Sequence, residues 1–190
     1  KIVPFLKGIK VGIVKKLIEL DDIPHATQVV HTLKKSSSLK SVGIALYDSG
    51  NADSPLMREV IDGIANHTEK RYLGQHIFEQ YGEDSDVFRY LIDSFTSASE
   101  LRNLGIYFLN DDRIVSPAFG HLVQRLENRR KSSELKNLAI EFIDRDMTDQ
   151  PQFKRIMTGL EQYRSSVEDV LIYWVQNSCS SAIEGLTDGI

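Results

Sequence analysis

The chain has 190 residues, of which 41% are hydrophobic and 26% are charged, which is ordinary usage for a globular protein. Its unbroken apolar runs are only a few residues long, which excludes a transmembrane helix of about 20 residues. The net charge of -4 is uneven: residues 1–40 carry eight Lys and three acids, a balance of +5, so the remaining residues carry -9. Because no basic stripe with interleaved aromatics accompanies the basic end, we expect no nucleic-acid partner.

Cysteine content and the first residues bear on the compartment. A single cysteine, Cys179, cannot form an intrachain disulfide, which favours an intracellular, reducing compartment, cytoplasmic or organellar. The chain begins at Lys1 without a charged-then-apolar signal segment, and we expect it to be part of a longer protein. We expect no membrane insertion.

Proline and serine positions predict five helices. Pro24, Pro55, Pro117 and Pro151 follow one another at steps of 31, 62 and 34 residues. The middle step is twice the first, and Ser85 precedes Asp86, the position where the missing proline would stand. A serine hydroxyl caps a free N–H group, and proline suits the first helical position. Each start opens an i, i+3, i+4, i+7 apolar stripe. The five stripes are Ala26, Val29, Val30, Leu33; Met57, Val60, Ile61, Ile64; Phe88, Leu91, Ile92, Phe95; Phe119, Leu122, Val123, Leu126; and Phe153, Ile156, Met157, Leu160.

A second pattern lies between these helices, with apolar residues at the first, fourth, sixth and eighth positions of a segment. The copies are Leu39, Val42, Ile44, Leu46; Leu101, Leu104, Ile106, Phe108; Leu135, Leu138, Ile140, Phe142; Val167, Val170, Ile172, Trp174; and, more weakly, Lys70, Leu73, Gln75, Ile77. Alternation at positions 4, 6 and 8 is the period of a β-strand. A strict step of 31 residues places the first copy at residues 8–15, whereas residues 6–13 are the more apolar choice. We take the strict step because it aligns Gly12 with Gly43.

The two patterns together predict an α/β solenoid of about five strand–loop–helix repeats of 31–34 residues, with a curved parallel sheet backed by helices. No such unit buries its own apolar face, so neighbouring units must stack. The predicted boundaries are repeats 8–38, 39–69, 70–100, 101–134 and 135–166 and a last strand 167–175, within a single domain 1–178 that a tail, 179–190, follows.

Two segments carry a family resemblance over roughly residues 8–175. LRNLGIYF at 101–108 and LKNLAIEF at 135–142, each followed by a helix, resemble leucine-rich repeats of the longer, ribonuclease-inhibitor-like kind. The resemblance implies a horseshoe-shaped fold. Those repeats usually carry Asn or Cys at the ninth position, where this chain has Tyr47, Phe78, Leu109, Ile143 and Val175. Ankyrin and tetratricopeptide units have two helices each, and the β-rich run LAIEFI argues against both.

Motifs that carry chemistry are missing from the sequence. Its five histidines form neither H-x-x-x-H nor H-E-x-x-H, and one cysteine cannot build a zinc cluster. The acidic segment 48–59 lacks the ligand spacing and the glycine of a calcium loop. No G-x-S-x-G elbow and no Gly-rich phosphate loop occur. We therefore predict no catalytic residue, metal or cofactor, and no enzyme activity.

The predicted sheet assigns a binding surface. If positions 4, 6 and 8 face the core, then positions 5, 7 and 9 face the concave side, where glycines at position 5 would border an apolar and aromatic stripe. Such a stripe suits a bound helix or extended peptide. The predicted binding residues are Tyr47, His76, Phe78, Tyr107, Leu109, Glu141, Ile143 and Tyr173.

These features predict a non-catalytic protein–protein interaction or scaffold module, a subunit or domain of a larger assembly. Protein partners would bind the concave sheet or the exposed ends of the array, since no polar capping repeat is recognisable. An alternative is an accessory repeat domain of an enzyme whose catalytic part lies outside this segment. A free-standing enzyme would need converging titratable groups, which the sequence does not display.

Overall fold

A computed structural model describes the backbone of residues 2–111, 113–129 and 132–187, and the side chains of residues 10–111, 113–129 and 132–177. Within these ranges the chain forms eleven α-helices and no β-strand. They alternate in two series along the chain. The A helices are α1 (Ile2–Glu19), α3 (Ser36–Asp48), α5 (His67–Glu79), α7 (Ala98–Leu109), α9 (Ser132–Asp144) and α11 (Arg164–Thr187). The B helices are α2 (Ile23–Val30), α4 (Pro55–Gly63), α6 (Asp86–Ser94), α8 (Pro117–Asn128) and α10 (Pro151–Leu160).

The predicted α/β solenoid and the resemblance to leucine-rich repeats are wrong, because every segment assigned to a strand is an A helix. Positions 1, 4 and 8 suit either structure, and position 5 decides between them. Gly43, Gly74, Gly105 and Ala139 are buried there, which completes the i, i+3, i+4, i+7 stripe of a helix. Position 6, which suggested alternation, is only half-buried in Ile44, Ile106 and Ile140. The run LAIEFI lies inside α9, so the argument from it against two helices per unit is also wrong.

The B helices confirm the helix starts predicted from serine and proline. The side chains of Ser54, Ser85 and Ser116 accept hydrogen bonds from the backbone N–H groups of the third residue on, at 3.3–3.4 Å. Proline occupies the first turn of α2, α4, α8 and α10. The predicted stripes are largely buried, as in Met57, Val60 and Ile61 of α4. Local capping chemistry therefore sets where each B helix begins.

Four A helices end in the same backbone motif. Asp21, Gly50, Tyr81 and Asp146 have left-handed backbone angles, with φ between 55° and 76°. In each case the next N–H group donates to the carbonyl five residues earlier, at 2.8–3.0 Å, as in the bond from Asn51 to Leu46. This is a Schellman ending.

The shared ending fixes the register of the A helices. Position 1 lies eleven residues before the left-handed residue of each ending, at Lys10, Leu39, Lys70 and Leu135. In α7 and α11 the sequence repeat places position 1 at Leu101 and Val167. The first step is therefore 29 residues, so neither reading of the first copy, 8–15 or 6–13, had the correct register.

Contacts divide the chain into two compact units, Lys1–Leu104 and Gly105–Ile190. In the first unit α1, α3 and α5 each pack on the B helix that follows them in the chain. The A helices also pack on neighbouring A helices (α1 on α3, α3 on α5), and the B helices pack on neighbouring B helices (α2 on α4, α4 on α6). The second unit repeats this scheme: α9 packs on α10 and α11, and α8 packs on α10. The predicted tail 179–190 includes the helical residues 179–187 of α11.

An aromatic row forms the core of the second unit. Phe108, Phe119, Phe142, Phe153 and Trp174 alternate between A and B helices, with successive ring centroids 5.6–6.0 Å apart. The four phenylalanines are at most 2% exposed. Because edge-on and tilted aromatic pairs add to the energy of apolar burial, this row ties each helix pair to the next one in the unit.

Candidate interaction surface

Successive A helices meet through position 5 of one and position 4 of the next. A Cβ atom on Gly43 would lie 3.0 Å from Leu73, one on Gly74 would lie 3.3 Å from Leu104, and one on Gly105 would lie 3.6 Å from Leu138. The leucines at position 4 therefore lie directly over the small residue of the preceding helix. Helices α5 and α7 thus each have one face that covers the preceding A helix and one that the following A helix covers.

Charged pairs run alongside this contact. Lys40 Nζ lies 2.6 Å from Glu69, Arg71 Nε lies 2.7 Å from Glu100, and Lys136 Nζ lies 2.9 Å from Asp169. The cations all occupy position 2, and the first two carboxylates precede position 1 of the next A helix. The recurrence of Lys or Arg at position 2 and of Glu69, Glu100 and Glu134 was visible in the sequence. It indicates a structural role between repeats.

The residues predicted at position 7 lie along the A helices, and His76, Tyr173 and Glu141 each make a polar contact. His76 Nε2 lies 2.7 Å from Asp48 Oδ1 of the preceding A helix, and Tyr173 Oη donates to Asp144 Oδ1 at 2.6 Å. The bond to Asp144 raises the pKa of Tyr173 above its ordinary value. Glu141 pairs with Arg145, which directly follows the last residue of α9. Position 7 thus supplies contacts within the array, and its assignment as a binding surface stays a prediction, including that of the half-buried Tyr107.

The residues predicted at position 9 are mostly in the core. Phe78, Leu109 and Ile143 are buried, with at most 8% of each exposed. Tyr47 is half-buried and meets His76 edge-on, with ring centroids 6.3 Å apart. Burial, followed by the charges of Glu83 and Asp48, raises the pKa of Tyr47. The helix places positions 5 and 9 on one buried face, so this set does not form an open stripe.

The last A helix exposes the face that a successor covers in the others. On α11, Leu171 at position 5 is 43% exposed, Ile172 is 56% exposed, and Val175 at position 9 is 62% exposed. We call these three residues the α11 end face. The equivalents of Leu171 and Val175 in α9, Ala139 and Ile143, are buried. The sequence signal for this face was the replacement of the small residue at position 5 by leucine.

A lysine side chain lies in the core of the first unit. Lys70 occupies position 1, where leucine stands in α3, α7 and α9, and only 4% of it is exposed. Its Nζ donates to the main-chain carbonyl of Ser94 at 3.2 Å. Burial lowers the pKa of Lys70, and the negative charge of Asp62 opposes that shift. The surroundings hold Lys70 in place without presenting it to a ligand.

A polar cleft of about 590 Å³ lies between the ends of α8 and α10, and its lining residues are Glu127, Asn128, Arg155, Thr158, Gly159 and Gln162. The lining offers one carboxylate, Glu127, and one hydroxyl, Thr158. Among the residues whose side chains are described, no group of three His, Cys, Asp or Glu is arranged to hold a metal ion. The geometry therefore presents an apolar end face more clearly than a chemical site.

Comparison of the chain with protein-family models, with curated proteins and with solved structures finds no match. Within the described part of the chain, none of the helices combines the length and the apolar character needed to cross a membrane.

Proposed function

We propose that this chain is a non-catalytic protein-interaction module of tandem helix pairs, and that it binds protein through the α11 end face. The observation that supports this proposal is the exposure of Leu171 and Val175, whose equivalents in the preceding A helix are buried, with the exposed Ile172 beside them. Adjacent exposed apolar residues on a helix of a repeat array are typical of an interaction surface. We also infer an intracellular, reducing compartment, since Cys179 has no intrachain partner.

Affinity capture with a matched pair of variants tests the proposal. Val175→Glu places a charge in the α11 end face, whereas Val115→Glu places the same charge at a valine that is 72% exposed in the loop before α8. We expect at least one protein that the unmodified chain retains to fall about tenfold in recovery with Val175→Glu, because an unpaired charge in an apolar contact costs more than about 1.4 kcal/mol. Val115→Glu should leave its recovery unchanged.

The outcome that contradicts the proposal is equally specific. If Val175→Glu and Val115→Glu retain the same proteins in the same amounts, and the unmodified chain does not associate with itself, the α11 end face does not bind protein. The helical circular dichroism and melting temperature of both variants should match those of the unmodified chain, because both valines are mostly exposed.

A further inference from the structure

The polar cleft between α8 and α10 has both of its walls on described helices of the second unit. Two of its lining residues belong to α8, three belong to α10, and Gln162 follows α10. We call it the α8–α10 cleft. The six lining residues include no aromatic ring and no long aliphatic side chain. Recognition in this cleft therefore depends on charge and hydrogen bonds.

Two glycines determine where the charged side chains of the cleft lie. A Cβ atom on Gly159 would come within 2.6 Å of Glu127 Oε1, so the Glu127 side chain crosses from α8 onto the backbone of α10. In the opposite direction, a Cβ atom on Gly120 would come within 2.8 Å of a guanidinium nitrogen of Arg155, which crosses from α10 onto α8. A larger residue at either glycine would displace the charged group. The two glycines therefore allow the positions that the two charges occupy.

Both charges are available to a ligand. Within the described part of the chain, Glu127 and Arg155 form no ion pair and no side-chain hydrogen bond, either with each other or with another residue. Glu127 is half-buried, and a carboxylate that loses water without gaining a partner costs free energy. A guanidinium binds a carboxylate through two parallel hydrogen bonds, and a carboxylate accepts hydrogen bonds from an ammonium group. The cleft therefore matches a ligand that carries one charge of each sign.

The exposure of the cleft and its mixed charge indicate the class of ligand. Four of the six lining residues are exposed, namely Asn128, Arg155, Thr158 and Gln162. A small-molecule site buries about 70–90% of its ligand, so this cleft suits one part of a larger partner. Glu127 opposes a polyanion such as a nucleic acid or an anionic membrane, since like charges across an interface are unfavourable. These properties favour a protein segment, to whose backbone the amide of Asn128 offers a donor and an acceptor.

From these observations we propose that the α8–α10 cleft binds an extended protein segment that carries an acidic and a basic residue. The acidic residue pairs with Arg155, and the basic residue pairs with Glu127. Gly120, where the Arg155 guanidinium lies, and Glu127 are about 10 Å apart along the axis of α8. An extended peptide spans that length in about three residues. The cleft shares no residue with the α11 end face, so this proposal goes beyond the proposed function and can fail or hold independently of it.

An NMR titration of the isotope-labelled chain with two synthetic peptides tests the proposal. The first peptide, of serine and glycine with blocked ends, carries one glutamate and one lysine about three positions apart. The second carries glutamine at both charged positions. We expect the charged peptide alone to shift the amide signals of Gly120, Asn128 and Gly159 in a saturable way. Arg155→Gln should weaken binding about tenfold, because it removes a bidentate charged pair. Lys154→Gln, at an exposed neighbour outside the lining, should leave binding unchanged.

Gly159→Ala tests the position of the Glu127 carboxylate. The added methyl group displaces the carboxylate from α10, so binding of the charged peptide should weaken about threefold. The melting temperature should stay the same or rise, because alanine favours a helix and the displaced group is the end of a flexible side chain. This combination separates a loss of binding from a loss of folding.

Three results would overturn the proposal. If the charged peptide gives no saturable shifts at millimolar concentration, the cleft does not bind such a segment. Equal shifts with the glutamine peptide would show that the two charges do not direct binding. Equal losses for Arg155→Gln and Lys154→Gln would show that net charge, and not the cleft, attracts the peptide. Val175→Glu should leave every shift unchanged, which separates this proposal from that of the α11 end face.

Discussion

Gly74 of α5 lies beneath Leu104 of α7, so close that a Cβ atom on the glycine would come within 3.3 Å of Leu104 Cδ1 and 2.8 Å of Leu91 Cδ2. Both leucines are fully buried, so neither can move aside freely. Gly43 and Gly105 lie in the same relation to the leucines of their following helices. The glycine at position 5 of α3, α5 and α7 therefore sets how closely each of these helices approaches the next A helix.

Two glycines in helix interiors should respond oppositely to alanine. A Cβ atom on Gly12 meets nothing within 4 Å, so Gly12→Ala should stabilise the protein by about 0.5–1 kcal/mol through the helix preference of alanine. Gly74→Ala gains the same preference but overpacks the core, which costs about 1–3 kcal/mol, so its net effect should be a loss. Urea denaturation of both variants measures the difference. A stabilising Gly74→Ala would contradict the close helix contact.

The backbone at Tyr81 predicts a stabilising substitution. Tyr81 has φ of 58°, a left-handed conformation that costs a residue with a side chain about 1–2 kcal/mol, and 82% of it is exposed. Tyr81→Gly should therefore raise the free energy of unfolding by about 1 kcal/mol. The reciprocal change Gly50→Ala, at φ of 76° with no atom within 4 Å of its Cβ, should lower it by a similar amount. If both variants shift the melting temperature in the same direction, the shared helix ending is not what limits stability here.

The sequence predicted the starts of the five B helices, and particular residues explain why the rest of the prediction failed. Ser54 and Pro55 act within one turn, so local chemistry sufficed to place the start of α4. In residues 101–108 the same leucines satisfy a strand and a helix, and only the burial of Gly105 against Leu122 separates the two. That burial depends on contact with a neighbouring helix, which the residue pattern of segment 101–108 does not contain. The predicted binding surface assumed that alternate residues of a strand face opposite sides of a sheet, so it has no geometric basis in a helix.

Two substitutions in α7 distinguish the helix from a strand in solution. In the helix, Leu104 is fully buried and Ile106 is half-buried, whereas a strand would bury both. We expect Leu104→Ala to cost about 2–5 kcal/mol and Ile106→Ala to cost less than about 1.5 kcal/mol. Guanidinium denaturation of the two variants, with circular dichroism as the probe, gives both values. If the two variants lose equally large amounts of stability, the alternating side-chain orientation of a strand is favoured.

The pair between Arg71 and Glu100 should be worth more than a surface pair. The two side chains are only 17% and 21% exposed, and Glu100 also accepts a hydrogen bond from Thr68 at 3.1 Å. In Arg164 and Glu168, which form a pair along α11, the exposed fractions are 92% and 57%. Double-mutant cycles with alanine should give a coupling of about 1 kcal/mol for the first pair and about 0.3 kcal/mol for the second. If the coupling energy of Arg71 and Glu100 is no larger than that of Arg164 and Glu168, the charged pairs between repeats add nothing to stability.

Lys70 should destabilise the protein at neutral pH. It lies buried where leucine stands in α3, α7 and α9, and Ser94 accepts one of its three N–H groups. Lys70→Leu should therefore raise the free energy of unfolding by about 1–3 kcal/mol, since it removes a charge from the core. Lys154→Leu, at an exposed lysine of α10, is the control and should change stability by less than about 0.5 kcal/mol.

The gain from Lys70→Leu should also depend on pH in a defined direction. Burial lowers the pKa of Lys70 in the folded chain below its ordinary value of 10.5, so above the folded pKa the unfolded chain binds more protons than the folded one. The stability contribution of Lys70 then rises with pH, and its penalty fades as the pH approaches 10.5. Below the folded pKa both states are protonated, so the difference between Lys70→Leu and the unmodified chain is full and constant. A difference that grows towards alkaline pH, or a destabilising Lys70→Leu, would mean that the protein holds the ammonium group favourably.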